Sequence, residues 1–344
     1  MSVSIHSVQY VEDQLEIIDQ RKLPGKWETI RTTDYREVVE AIKTMAVRGA
    51  PALGIAGAYA AALAAAEAAR ANEPKPLSFV KSAMAEIAQA RPTAVNLPAA
   101  IKRLGRFVDQ SAQTVSEELA NLLLSEAHAI RREDELMCNR IGNFGAKIIP
   151  EDSAILTICN TGALATGGIG TALGAVYTAK NLNKNPKVYV CETRPALQGS
   201  RLTAWELERA NIDCTLIVDS AAGALFAEDK IDVVIVGADR IAINGDTANK
   251  IGTYMLAQLA KVHDVPFYVA APETTFDRKL PELNRRHIEQ RPASEVTSFA
   301  GICVAPENVD VYSPAFDITP RELITAYITD KGMPRGGRWD ERKS

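Results

Sequence analysis

A chain of 344 residues with 47% hydrophobic and 24% charged side chains has ordinary globular proportions, enough to bury one large core or two smaller ones. Its formal net charge of -4 lacks the basic excess of proteins that bind nucleic acid or anionic membranes, and no long run of like charge occurs. A small polar ligand is therefore expected, with no nucleic-acid and no membrane partner. The opening Met1-Ser2-Val3-Ser4 leads into no basic stretch followed by an apolar one, so no signal peptide is read and a cytoplasmic location is expected. The cysteines, Cys138, Cys159, Cys191, Cys214 and Cys303, are odd in number and far apart, with no C-x-x-C and no zinc-like Cys/His spacing. They read as free thiols of a reducing compartment, at least four of them small buried hydrophobes.

In chain order, residues 7–11 and 15–18 alternate loosely, and Leu23-Pro24-Gly25 marks a turn before Trp27-Glu28-Thr29-Ile30. A small antiparallel sheet is expected there. From Asp34 the period becomes helical: Val38, Val39, Ile42 and Met45 share one face, and an Ala-rich stretch after Pro51 continues as a packed helix. It lacks charge over 50–66 but is short for a bilayer. Pro74 and Pro76 interrupt the chain, a further helix precedes Arg91-Pro92, and two more run over about 97–107 and 114–140. From about residue 150 apolar runs of strand length alternate with helical segments: strands at 154–158, 188–191, 215–218, 233–236 and 267–270, helices at 170–179, 200–209, 221–227 and 248–263. Runs buried on both faces, alternating with helices, predict a parallel sheet. A strand pair at 302–304 and 309–312 and a helix over 321–329 complete the pattern. The fold class is α/β, with a mainly helical N-terminal domain (1–145) carrying the small antiparallel sheet, followed by a Rossmann-like parallel-sheet domain (146–344).

In an open parallel sheet, ligands sit beyond the carboxyl ends of the strands. Three such loops are rich in chemistry. The first, Cys159-Asn160-Thr161-Gly162 and onward to Gly170, carries hydroxyls and glycines whose amides suit a phosphate. The second, Glu192-Thr193-Arg194-Pro195 through Gln198 to Arg201, carries two guanidinium groups and an amide. The third runs from Gly237-Ala238-Asp239-Arg240 to Asn249-Lys250, read as opening the next helix. Three polar strand-end loops in one sheet point to a catalytic pocket. A dinucleotide site is disfavoured because the glycines after Cys159 have the wrong spacing. His6, His128, His263 and His287 are scattered and read as structural or exposed, and Gly49, Gly54 and Gly57 as close packing of the Ala-rich helix.

These stretches, together with Leu15 to Pro24, Val47-Arg48-Gly49-Ala50-Pro51, Arg91 to Leu97, Val236 to Arg240 and Asn249-Lys250-Ile251-Gly252, resemble the methylthioribose-1-phosphate isomerase family. That family is related to ribose-1,5-bisphosphate isomerase and to the regulatory subunits of a eukaryotic translation-initiation exchange factor. The likeness covers nearly the whole chain. It implies a homodimer that interconverts an aldose and a ketose phosphate in methionine salvage, without metal or cofactor. It implies Asp239 as proton donor and Cys159 as the second catalytic group. Arg48, Gly49, Ala50, Arg91, Gln198, Asn249 and Lys250 are implied as substrate contacts. Ile158 stands where relatives often have His, and Glu273-Thr274 where Leu-Ser is more usual. The bisphosphate isomerase and a non-catalytic regulatory subunit are the alternative readings. An acid is needed because phosphate blocks the anomeric oxygen, and a carboxyl desolvated just past an apolar strand would supply one at Asp239.

Overall fold

The computed structural model describes residues 5–71, 73–91, 95–111, 117–284 and 288–334. It comprises two compact units, Ser4–Cys138 with Ala163–Gly170, and Asn139–Gly162 with Thr171–Ser344.

In the helical unit the loosely alternating N-terminal residues form β1 (Val8–Val11), β2 (Gln14–Ile18) and β3 (Thr29–Thr32), paired antiparallel in that order. Val8, Leu15 and Ile17 are buried and turn one face of this sheet to the core. The helix α1 (Tyr35–Lys43) starts where the Asp34 carboxylate accepts the Arg36 amide at 2.8 Å, and Val38, Val39 and Ile42 line its buried face. The Ala-rich α2 (Ala50–Arg70) is long and apolar enough to cross a bilayer, yet its side chains are consumed by a core shared with α3 (Pro76–Gln89), α4 (Asn96–Gln110) and α5 (Glu117–Ile148). Alanine suits that place, since Ala52, Ala56, Ala60 and Ala64 are fully buried on successive turns. Pro92, His287 and the start of the helix expected from 114 lie outside the described residues.

The second unit is built on a six-stranded parallel sheet of β4 (Ala154–Thr157), β5 (Lys187–Cys191), β6 (Cys214–Ile217), β7 (Val233–Val236), β10 (Phe267–Ala270) and β15 (Ala326–Ile328). The order across it is β15-β10-β7-β4-β5-β6. Numbered within the sheet this is 3-2-1-4-5-6, the doubly wound arrangement of nucleotide-binding folds. Helices α6 (Ala172–Asn181), α7 (Ala204–Arg209) and α8 (Ala222–Ala227) link the first four strands. Between β7 and β10 the chain makes a hairpin, β8 (Arg240–Ala242) and β9 (Thr247–Lys250), and then α9 (Thr253–Val262). That hairpin joins a second sheet with β11 (Phe276–Asp277) and β14 (Phe316–Thr319), while β12 (Ser298–Phe299) and β13 (Ile302–Cys303) pair apart. Leu156, Val234, Val236 and Val269 pack with Phe226, Leu256, Ala257 and Tyr327 in one core.

The expected helix over 321–329 is corrected. Only a 3₁₀ turn at Arg321–Leu323 forms, and Ala326–Ile328 is the edge strand β15. The apolar spacing of Leu323, Ile324, Tyr327 and Ile328 fits a helix face, but parallel pairing with β10 buries all three strand residues and overrides that periodicity. Residues 309–312 form no strand; β13 pairs instead with β12, which precedes it. Of the cysteines only Cys138 and Cys191 are buried, Cys303 being exposed. His128 accepts or donates to the Tyr59 hydroxyl at 2.9 Å and His263 stacks on Phe226, structural roles in keeping with their scatter.

Asp134 on α5 is buried and holds the segment Ala163–Gly170, accepting the Gly167 amide at 2.6 Å and the Cys138 thiol at 3.8 Å. Burial pushes its carboxyl up to about 6, against the pull of those two donors. An acid whose folded value lies above its unfolded one contributes full stability below the unfolded pKa and loses it as pH rises through the folded value. The chain should therefore lose about 2 kcal/mol relative to Asp134→Asn between about pH 4 and about pH 7. The asparagine oxygen still accepts from Gly167. Denaturant unfolding of both proteins at the two pH values checks this, and a pH-independent difference would contradict it.

Candidate active site

The strand order reverses between β4 and β7: the chain leaves β4 toward β5 on one side and β7 toward β10 on the other. Loops that diverge in this way open a crevice at the carboxyl edge, where ligands of such sheets bind. Cys159 lies two residues past the end of β4 and Asp239 three past the end of β7, so the two stand on either side of the reversal. The loops also touch directly, since a Cβ on Gly237 would meet Thr161 Cγ2 at 2.7 Å.

Cys159 is half-buried and held in the left-handed region at φ 67. Its amide donates to Thr193 Oγ1 at 2.9 Å and its carbonyl accepts the Thr203 hydroxyl at 2.6 Å, which ties it to the loop and helix that follow β5. Thr193, at φ 66, donates its own hydroxyl to the Cys191 carbonyl at 3.0 Å. Asp219, just beyond β6, accepts the amides of Thr193 at 2.8 Å and Arg194 at 2.7 Å. Three successive strand ends are thus stitched together. On the middle loop Gln198 is half-buried, and its buried Oε1 finds no donor among the described residues. A substrate hydroxyl would satisfy such an orphaned acceptor.

Asn249 and Lys250 do not open a helix, as their spacing suggested; they end strand β9. Pairing with β8 on one side and β14 on the other stabilises extended backbone here, and Gly252 at φ 101 separates the strand from α9. The Asp239 amide donates to the Ala248 carbonyl at 2.9 Å, and continuing the Arg240 to Ala248 register by one residue sets Asp239 opposite Asn249. Asn249 is buried and donates to Thr253 Oγ1 at 3.0 Å. Lys250 faces the ring of Phe316, its Nζ 4.7 Å from the centroid. Opposite Asn249 on β14, Asp317 accepts the amides of Gly252 at 2.7 Å and Tyr254 at 3.1 Å, closing the first turn of α9. Burial pushes its carboxyl up to about 6, the two amides pulling the other way. Asp239 itself is exposed. The desolvation expected just past β7 is not present, because the chain turns outward into the hairpin at that point.

The remaining residues implied by resemblance belong to the helical unit. Arg48 is half-buried before Gly49 and Ala50, which open α2. Gly49, at φ 93, lies so close to Ala165 that a Cβ would stand 2.4 Å from its carbonyl oxygen. Arg91 is half-buried just after α3. Sequence reasoning names Thr193 only as part of its loop and passes over Thr203, Glu206, Asp219 and Asp317, although Asp219 sits just past a strand and is open to the same loop argument. Among the described residues no cluster of His, Cys, Asp and Glu suits a metal ion.

Residues 46–335 match the model of the Initiation factor 2 subunit family. The chain is 48% identical over 329 residues to the methylthioribose-1-phosphate isomerase of Thermoanaerobacter sp. (strain X514), covering 96% of this chain and 95% of that one. It is similar to the crystal structure of 5-methylthioribose 1-phosphate isomerase from Pyrococcus horikoshii OT3, with a TM-score of 0.90, 40% identity and coverage of 97% and 93%. A structure titled translation initiation factor eIF-2B, subunit delta, from A. fulgidus gives a TM-score of 0.87 and 44% identity, with 96% of each chain covered.

The turn between β9 and α9 is intolerant of a side chain: at Gly252 the positive φ disfavours a Cβ, which would also meet Ile158 Cδ1 at 2.7 Å. Gly252→Ala should cost about 1–3 kcal/mol, read as a lower denaturant midpoint at unchanged slope. A midpoint equal to that of the parent chain would show that this turn relaxes freely.

Proposed function

The chain belongs to the Initiation factor 2 subunit family, and from the pair Cys159 and Asp239 at the strand-order reversal we infer that it is an isomerase. It converts 5-methylthioribose 1-phosphate to 5-methylthioribulose 1-phosphate, an aldose-to-ketose step of methionine salvage. The near full-length identity to enzymes of that name supports the substrate, and the placement of a thiol and a carboxyl on neighbouring strand ends supports the chemistry.

The substrate dictates the groups required. Phosphate on the anomeric oxygen prevents the ring from opening through a free hydroxyl, so the ring oxygen must be protonated as its bond to C1 breaks. Asp239 gives that proton. Hydrogen then passes from C2 to C1 by one of two routes. In the first, the Cys159 thiolate takes the C2 proton, the electron pair forms a C1–C2 double bond as the ring bond breaks, and the thiol returns the proton to C1. In the second, hydride shifts directly to C1 beside an uncharged thiol. In both, the C2 hydroxyl proton returns to the Asp239 carboxylate as the ketone forms, and the acid is regenerated. Asp239 is exposed, and cover by the substrate supplies the dry surroundings that keep an acid protonated. Gln198, Asn249 and Lys250, with Arg48, Gly49, Ala50 and Arg91 of the helical unit, are the proposed substrate contacts. Guanidinium groups suit phosphate because they bind it bidentately. The same reading makes the enzyme a cytoplasmic homodimer that needs neither cofactor nor metal.

Asp239→Asn should lower kcat by at least roughly 10²-fold with the fold intact, and near-normal turnover would overturn its role as acid. A coupled assay should show turnover of methylthioribose 1-phosphate in preference to ribose 1,5-bisphosphate. The reverse preference, or no turnover of either, would favour the bisphosphate isomerase or a regulatory subunit respectively. In deuterated solvent, label at C1 of the product marks the thiolate route, and full retention of the substrate hydrogen marks the hydride route.

A further inference from the structure

Beneath the loop that carries Cys159 lies a carboxylate with no role in the chemistry above. Glu206, on α7, is fully buried. Its Oε1 accepts the Asn160 side-chain amide at 2.7 Å and its Oε2 accepts the Tyr177 hydroxyl at 3.0 Å. Tyr177 is itself buried, and burial together with the neighbouring carboxylate pushes its hydroxyl well up, so it stays a donor. The Asn160 amide donates as well to Thr203 Oγ1 at 3.2 Å, and Thr203 in turn donates to the Cys159 carbonyl at 2.6 Å. Thr203 and Glu206 are three residues apart on the helical segment after Gln198 and share a face. The loop is moulded onto this acid: a Cβ on Gly162 would stand 2.2 Å from Glu206 Oε2.

A carboxylate removed from water costs several kcal/mol unless donors converge on it. Here they do, Tyr177 from α6 and Asn160 from the position that follows Cys159. The backbone of Cys159 sits in the left-handed region, which a β-substituted residue occupies only when its surroundings impose it. The imposing contacts are the ones just described, with Thr193 on the other side.

We propose that Glu206 is a positioning residue for Cys159, fixing the backbone conformation of the thiol-bearing residue through Asn160 and Thr203. The proposal rests on the reading of Cys159 as a catalytic group. It predicts a split between shape and charge. Glu206→Gln keeps an oxygen for the Asn160 amide, and its own amide can donate to the Tyr177 hydroxyl, so the loop is preserved. Glu206→Ala removes the carboxylate that accepts from the Asn160 amide and the Tyr177 hydroxyl. Thr203→Val deletes the hydroxyl on the Cys159 carbonyl while preserving side-chain shape.

The test measures kcat, KM and the site-resolved rate of Cys159 alkylation by iodoacetamide across pH, on the intact chain, with Cys159→Ala as control. Glu206→Gln should stay within about threefold of the parent in kcat. Glu206→Ala and Thr203→Val should each lose roughly 10-fold to 100-fold in kcat with KM within about threefold, the signature of a misplaced reacting group. Their alkylation profiles should move, whereas a merely structural role would lower melting temperature and leave the profile alone. If Glu206→Ala does not fold, Thr203→Val carries the test. Unchanged kcat and an unchanged alkylation profile in Thr203→Val would overturn the proposal. Full activity of Cys159→Ala would instead overturn the catalytic reading, and the alkylation profiles would still report on positioning.

Discussion

The parallel pairing of β4 with β7 is the constraint on which the rest of the sheet unit depends. These two strands come from different halves of the domain, and their adjacency makes their outgoing loops diverge. Each strand is filled by side chains buried on both faces, Ile155 and Leu156 in β4 and all of Val233–Val236 in β7, and Thr157 at the end of β4 is the one hydroxyl they carry. Chemistry is pushed to the ends. There the backbone is strained: Cys159, Thr193 and Leu197 all adopt positive φ without being glycine. Such strain persists only where neighbours over-determine it, and it concentrates at functional sites.

Three acids, Asp134 and Glu206 buried and Asp317 half-buried, each hold a neighbouring loop. Asp134 answers the amide of Gly167, Asp317 those of Gly252 and Tyr254, and Glu206 the side chain of Asn160. Each lies under a loop containing glycine, where the backbone comes close enough to be grasped. A charge-assisted hydrogen bond is stronger than a neutral one, and a buried one is poorly screened, so each acid fixes a loop that apolar packing alone would leave loosely defined. Desolvation shows in the raised carboxyls of Asp134 and Asp317.

The hairpin inserted after β7 explains both the company and the exposure of Asp239. A direct helical crossover would leave Asp239 alone at the strand end. The hairpin instead brings β9 back beside it, so that Asn249 and Lys250 return to the neighbourhood of the carboxyl, and β14 adds Asp317 and Phe316 across from them. The same turn carries Asp239 out to solvent.

The sequence by itself determined the fold class, the parallel strands and the two strand-end groups. Those signals are local: apolar runs of strand length, helical periodicity and polar residues directly after a strand. The residues 248–250 and 326–328 were misread as helix because their spacing fits both periods, and only pairing with β8, β14 and β10 decides between them. Tertiary structure alone decided that Cys159 and Asp239 flank the strand-order reversal, since order across a sheet leaves no trace in the order along the chain. It also decided that Asp239 is exposed and that Glu206 is buried beneath Cys159, because burial and hydrogen-bond partners are set by residues distant in sequence.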